Sequence, residues 1–217
     1  MAASPTRPIG RDDLVRAIRS VAKLFETDTV YVIGSQALLV ARPDVDRRLR
    51  FSQEIDCYPA NAAKWPDEHE GQEASEAIAS LFGEGSNFHQ SFGFFIDGVD
   101  ETTAILPADW RDRSVHLKVA GEDGRRITAI APHPADIVAA KLVRGSEKDV
   151  IFASLCFGAG LTTNAAVKAS LAKAVPPERL AACLKKVDKA SQSKNDPDRA
   201  AGGLTDDELA AMLDRRR

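Results

Sequence analysis

Glu54-Ile-Asp56 and Gly34-Ser35 are the residues of this chain whose types and spacing suit chemistry. Carboxylates at i and i+2 of a strand point to one side, and two such charges repel unless a cation lies between them. Hard oxygen ligands suit Mg²⁺, and that ion would carry a triphosphate. On an exposed edge strand the same acids would simply be solvated. Ile55 and the neighbouring aromatic residues argue for a largely buried strand, where unpaired acids are costly. Gly34-Ser35 stands at a predicted strand-to-helix junction, where a small backbone lets a phosphate approach exposed N–H groups and the Ser35 hydroxyl adds a hydrogen bond. The other reading of the dipeptide is an ordinary turn with Ser35 as a helix N-cap.

The elements that must position these groups are legible from periodicity. Leu14, Ile18, Val21 and Phe25 recur at helical steps and predict an amphipathic helix from Asp12 to Glu26. Thr29–Ile33 reads as a buried strand that stops at Gly34, followed by a short helix from Ser35 to Ala41 that ends near Pro43. Phe51–Tyr58 reads as a strand closed by Pro59 and carries Glu54 and Asp56 on one face. A helix is expected around Glu73–Phe82, then a strand over Phe92–Val99 with Asp97 within it or at its end. Asp97-Gly98 also suits a hairpin turn. Val115–Val119 and Arg126–Ile130 flank a Gly121–Gly124 turn, as a hairpin would.

Beyond Pro134 the pattern becomes helical, with segments at Pro134–Arg144, Ser146–Phe157, Thr162–Lys173 and Pro176–Lys189. Ser146 with Asp149, and Thr205 with Glu208, have capping-box spacing. Ser191–Gly203 has the composition of a linker to a short terminal helix. The order is a mixed α/β half followed by an all-helical half.

Composition bounds the function classes. The formal net charge is −3, with 28% charged and 44% hydrophobic residues, so nothing pulls the whole chain toward nucleic acid. Any contact with RNA must come from a local patch such as Arg42, Arg47, Arg48 and Arg50, although Asp44 and Asp46 dilute it; a basic loop without function is the other reading. Cys57, Cys156 and Cys183 share no close spacing, which argues against a disulfide framework or thiolate zinc site and suits a reducing cytoplasm. Polar and proline residues occupy the N-terminus where a signal peptide needs an apolar segment, and no stretch approaches the roughly 18 apolar residues of a membrane span. The histidines lack metal-ligand spacing, and there is no Ser/His/Asp arrangement or Walker loop.

The segment Val30–Pro59, with Gly34-Ser35 followed by Glu54-Ile-Asp56 on the next strand, resembles the glycine-serine and paired-acid motifs of the DNA polymerase β-like nucleotidyltransferase superfamily. Lys141-Leu-Val-Arg-Gly-Ser-Glu-Lys-Asp149 is similar to the helical motif of its minimal, AbiEii-like branch. Glu54 departs from the more frequent aspartate, and the spacing after Ser35 exceeds that of the shortest members. The resemblance implies an α+β fold, with a nucleotidyltransferase-like mixed sheet and flanking helices in residues 1–130. A helical region over 131–190 and a linker with a short terminal helix over 191–217 would follow.

It further implies Glu54, Asp56 and a third acid as catalytic and metal-binding residues, the third being Asp97 or, second, Asp100. Gly34 and Ser35 would bind phosphates, with Lys141 reaching the triphosphate supported by Arg144 or Lys148. Asp149 would have an active-site role beside its capping role. The implied reaction moves a nucleoside monophosphate from an NTP, with Mg²⁺, to a tRNA or protein hydroxyl. The implied setting is the bacterial cytoplasm, as the toxin of a toxin–antitoxin or phage-defence module. A silent nucleotide-binding module and a helical docking protein for an antitoxin or other partner are the alternative readings.

Overall fold

A computed structural model describes residues 7–193, 205, 208–210 and 212. Five strands form one mixed sheet: β1 (Thr29–Ile33), β2 (Glu54–Pro59), β3 (Phe95–Gly98), β4 (Val115–Ala120) and β5 (Arg126–Ala131), in the order β3-β2-β1-β5-β4. β1 runs antiparallel to β2 and parallel to β5, β2 runs parallel to β3, and β4 and β5 form the expected hairpin.

Strand alternation gives the sheet two different faces. Val30, Val32, Ile55, Cys57, Ile96 and Ala129 are fully buried on one of them. The helix α1 (Arg11–Leu24) packs there through Leu14, Ala17, Ile18 and Val21. Each such branched side chain contributes about 1.5–3 kcal/mol on burial, so this layer supplies much of the stability. The opposite face carries Tyr31, Glu54, Asp56, Tyr58 and Asp97, in keeping with the two-residue period and the register of the pairs.

Between the first strands lie a turn over 34–37, the one-turn helix α2 (Leu38–Ala41) and a 3₁₀ turn over Arg47–Arg50. The helix expected from Ser35 therefore begins three residues later. Leu38 N–H bonds the Ser35 carbonyl at 3.3 Å, a tight turn rather than an α-helical start, and no side chain caps α2. The strand expected from Phe51 begins at Glu54.

Helices α3 (Trp65–Glu68), α4 (Ala74–Phe82) and α5 (Asn87–Phe92) lead to β3. Phe92, expected in the strand, instead ends α5: Gly93 adopts φ 72° and turns the chain sharply into β3. Asp97-Gly98 is strand, not a turn. A Cβ on Gly98 would lie 2.5 Å from the Ser75 carbonyl oxygen, so this glycine lets α4 lie directly against β3.

Helices α6 (Pro134–Arg144), α7 (Glu147–Gly158), α8 (Asn164–Ala174) and α9 (Pro177–Gln192) pack on one another as the helical region. The capping box of Ser146 and Asp149 opens α7, and that of Thr205 and Glu208 is also formed. α9 extends through Gln192, into the segment expected as linker, of which 194–203 lie outside the described residues. An ionic network, buried at Asp136 and open to solvent at Lys173, joins the helices to the sheet half. Fully buried Asp136 of α6 accepts two hydrogen bonds from Arg113 and one from Ser170 of α8, at 2.6–3.0 Å, while Asp109 bridges Arg113 and Lys173. No helix among the described residues is long and apolar enough to cross a membrane.

Candidate active site

A cavity of about 370 Å³ opens where the sheet half meets the helical half. It gathers residues far apart in sequence: Gly34 and Ser35 from the first turn, Glu54 and Asp56 from β2, and Lys141, Arg144, Lys148 and Asp149 from the α6–α7 corner. Its volume falls within the range of small-ligand pockets.

β1 and β2 pair so that Ile33 faces Asp56, which brings the turn after β1 over the Asp56 carboxylate. Gly34 has φ 71°, and a Cβ there would lie 1.8 Å from Asp56 Oδ2. The backbone of the glycine-serine turn can touch the acid only because position 34 has no side chain. The Ser35 hydroxyl lines the cavity and has no hydrogen-bond partner among the described residues, so the N-cap reading of Ser35 gives way to a free polar group at the site.

Asp56 is half-buried, and loss of solvation, then the negative charge of Glu54, push its carboxyl up to about 7. Lys141 and Arg144 oppose that shift, while Asp97 adds to it. Asp97 stands opposite Asp56 on β3 in parallel register, but it does not line the cavity. Asp100, the other candidate third acid, is exposed. Its carboxylate accepts from the Thr102 N–H and from the hydroxyls of Thr102 and Thr103, which hold it below the usual range; it is a loop-capping residue.

Among the described residues, no three His, Cys, Asp or Glu side chains form a ready-made metal site. Glu54 and Asp56 nonetheless suit Mg²⁺, which is held by one or two carboxylates when substrate phosphates complete its shell. A divalent cation there would relieve the repulsion that raises the Asp56 carboxyl.

Across the cavity, Lys141 lies with Nζ 4.8 Å from the Phe152 ring centroid. Desolvation, then the charge of Arg144, draw its ammonium below the usual lysine range, against the pull of Asp149 and Asp56. Arg144 makes a two-pronged ion pair with buried Asp149, Nε and Nη2 donating at 2.8 and 2.5 Å. Asp149 also accepts from Ser146 N–H and Oγ. Burial pushes the Asp149 carboxyl up, but these donors outweigh it and hold it below the ordinary carboxylate range. Asp149 thus caps α7 and fixes the direction of Arg144, two roles in one side chain.

The arginine loop contributes differently from its sequence reading. Arg42 pairs with Asp44, Arg48 with Asp46, and Arg50 donates to the Ile9 carbonyl. Its apolar neighbours Leu49 and Phe51 line the cavity instead of its guanidiniums. Also unforeseen were the loop Thr103–Leu106, which forms an apolar wall, and Arg179 of α9. Alternating Leu49 and Phe51 around Arg50 hinted at inward-facing residues; the loop and Arg179 carried no spacing signal.

No curated protein and no solved structure matches the chain. A family model described as "Nucleotidyltransferase of unknown function (DUF6036)" matches residues 12–153, which spans the sheet, the glycine-serine turn, the paired acids and the α6–α7 corner. The chain that builds this cavity belongs to the DUF6036 family of nucleotidyltransferases.

Proposed function

We propose that this protein transfers a nucleoside monophosphate from an Mg²⁺-bound NTP to a hydroxyl of RNA, with tRNA foremost, or of a protein. The observation that carries the reading is one cavity with Glu54 and Asp56 on one wall, Lys141 and Arg144 on the other, and a glycine-serine turn lying on the acid. Glu54 and Asp56 would hold the ion, with Asp97 beside them on β3. Bound there, Mg²⁺ supplies charge neutralisation of the triphosphate and of the oxygens that attack and leave.

Gly34 and Ser35 offer a close backbone approach and a hydroxyl to the β and γ phosphates, and Lys141 meets their charge from the far wall. Asp149 holds Arg144 in place to support it. The acceptor oxygen bonds to the α-phosphorus as the bond to the bridging oxygen breaks, and pyrophosphate leaves. Asp97, beside Asp56 on β3 but outside the cavity lining, would have to be reached by the acceptor hydroxyl to take its proton. The apolar wall of Ala104, Ile105 and Leu106 suits a nucleobase face.

The likeness of Lys141–Asp149 to the AbiEii-like motif supports a toxin role in a bacterial toxin–antitoxin or phage-defence module, held in check in the cytoplasm by a partner protein. A second reading, nucleotide binding without turnover, is favoured by the position of Asp97 outside the cavity lining. The test incubates purified protein with each α-labelled NTP, Mg²⁺ and total tRNA or cell lysate, beside Asp56→Ala. Label in RNA or protein with wild type alone supports transfer; NTP binding without transfer supports the second reading.

A further inference from the structure

We infer that Arg179, in the first turn of α9, is a polyphosphate-binding residue of the nucleotide cavity, brought there by an anchored helix. This rests on the proposed nucleotide site and adds a residue from beyond the segment that the family model matches. Arg179 lines the same cavity as Ser35, Asp56 and Lys141. Its side chain has no ion pair or hydrogen bond among the described residues.

The other cations of the wall are engaged. Arg144 is clamped to Asp149, Lys141 holds its ammonium over the Phe152 ring, and Lys148 has contacts of its own. Four cations and three carboxylates line the cavity, and of its two arginines Arg179 is the one whose five donors are uncommitted among the described residues. A guanidinium of this kind pairs with phosphate oxygens in two-pronged fashion.

The placement of α9 is set by a separate contact. Lys186 donates to the carbonyls of Leu142 and Arg144 at 3.2 and 3.4 Å, where a cation complements the C-terminal end of α6. Gly145, at φ 67°, leaves room for it: a Cβ there would lie 1.9 Å from Lys186 Nζ. Arg179 and Lys186 are seven residues apart, on the same side of the helix. The residue that fastens α9 to the α6–α7 corner therefore fixes which side of α9 meets the cavity, and Arg179 stands on that side.

The test is Mg-NTP binding by titration calorimetry with the full chain, comparing wild type, Arg179→Ala and Arg179→Lys, with thermal melts of the nucleotide-free proteins. Arg179→Ala weakens binding roughly tenfold, the scale of one charge-assisted phosphate contact, and Arg179→Lys recovers part of it. The nucleotide-free melting temperature stays within about 2 °C of wild type, as expected for an exposed side chain without partners. Unchanged affinity in Arg179→Ala, with wild type binding, overturns the inference and leaves the nucleotide site standing. A loss matched by a lower melting temperature also overturns it, as a structural effect. Wild type that binds no Mg-NTP removes the site itself, and the inference with it.

Discussion

Gly34 and Asp56 occupy one another's space: the Oδ2 of the acid lies 1.8 Å from where a Cβ on the glycine would stand, on a backbone already at φ 71°. Glycine is required here twice, by conformation and by contact.

Gly34→Ala consequently forces the turn or the carboxylate to move. It should destabilise the protein by about 1–3 kcal/mol and weaken Mg-NTP binding at least about tenfold. Urea unfolding and binding titration check the two effects separately. Intact stability and affinity would show that the turn does not cradle the nucleotide.

Asp56 should make the metal-free protein sensitive to pH. Its folded carboxyl lies at about 7, above the ordinary value of 3.8, so the folded state keeps a proton that the unfolded chain has released between these values. The associated stability is present below the unfolded value and lost as pH rises through about 7. Asp56→Asn should therefore be more stable than wild type at pH 8, by roughly 1–3 kcal/mol, with the difference shrinking toward pH 4. Mg-NTP should raise the melting temperature of wild type and not of the variant. Denaturant titrations at the two pH values measure it.

Asp149→Ala removes a helix cap and four accepted hydrogen bonds, and releases Arg144. Arg144 is partly exposed and regains water, so the cost is about 2 kcal/mol rather than the larger figure for a wholly buried pair. The wild-type carboxyl is depressed, so its contribution is present above the ordinary carboxylate value and lost as pH falls through the lower folded one. Thermal melts from pH 6 down to pH 2 should show the wild-type advantage disappearing at the acid end. An undiminished advantage at pH 2 would contradict the assignment.

Asp136→Ala breaks the other ion pair of a buried acid and should cost about 2 kcal/mol, since Ser170 loses its acceptor while Arg113, partly exposed, keeps Asp109. Asp136 lines a different cavity from the proposed nucleotide site. At a temperature where the variant is folded, its Mg-NTP affinity should stay within about twofold of wild type. A larger loss would mean that the two cavities are coupled.

The paired acids were legible because strand alternation is a short-range rule: Glu54 and Asp56 share a face whatever the rest of the chain does, and Ile55 and Cys57 take the other. Lys141 and Arg144 were legible as members of a motif and by their place on a strongly periodic helix. The strand expected over Phe92–Val99 is present at Phe95–Gly98 and was misread at its start, because the aromatic run crosses a helix end; the left-handed turn at Gly93 separates α5 from β3. Nothing in the local sequence marks Asp136 as buried, since its partners Arg113 and Ser170 are brought near by tertiary packing alone. Arg179 was invisible for the same reason: one arginine on an amphipathic helix has no pattern until the fold supplies a cavity.

The most direct test follows two labels in parallel, an NTP labelled at the α-phosphorus and the same NTP labelled at the γ-phosphorus, with Mg²⁺ and the responsive acceptor fraction. The α label should enter the acceptor while the γ label leaves as pyrophosphate, and both events should vanish in Asp56→Ala and in Glu54→Ala. Transfer of the γ label to the acceptor, or α-label transfer that persists in both variants, would contradict the account.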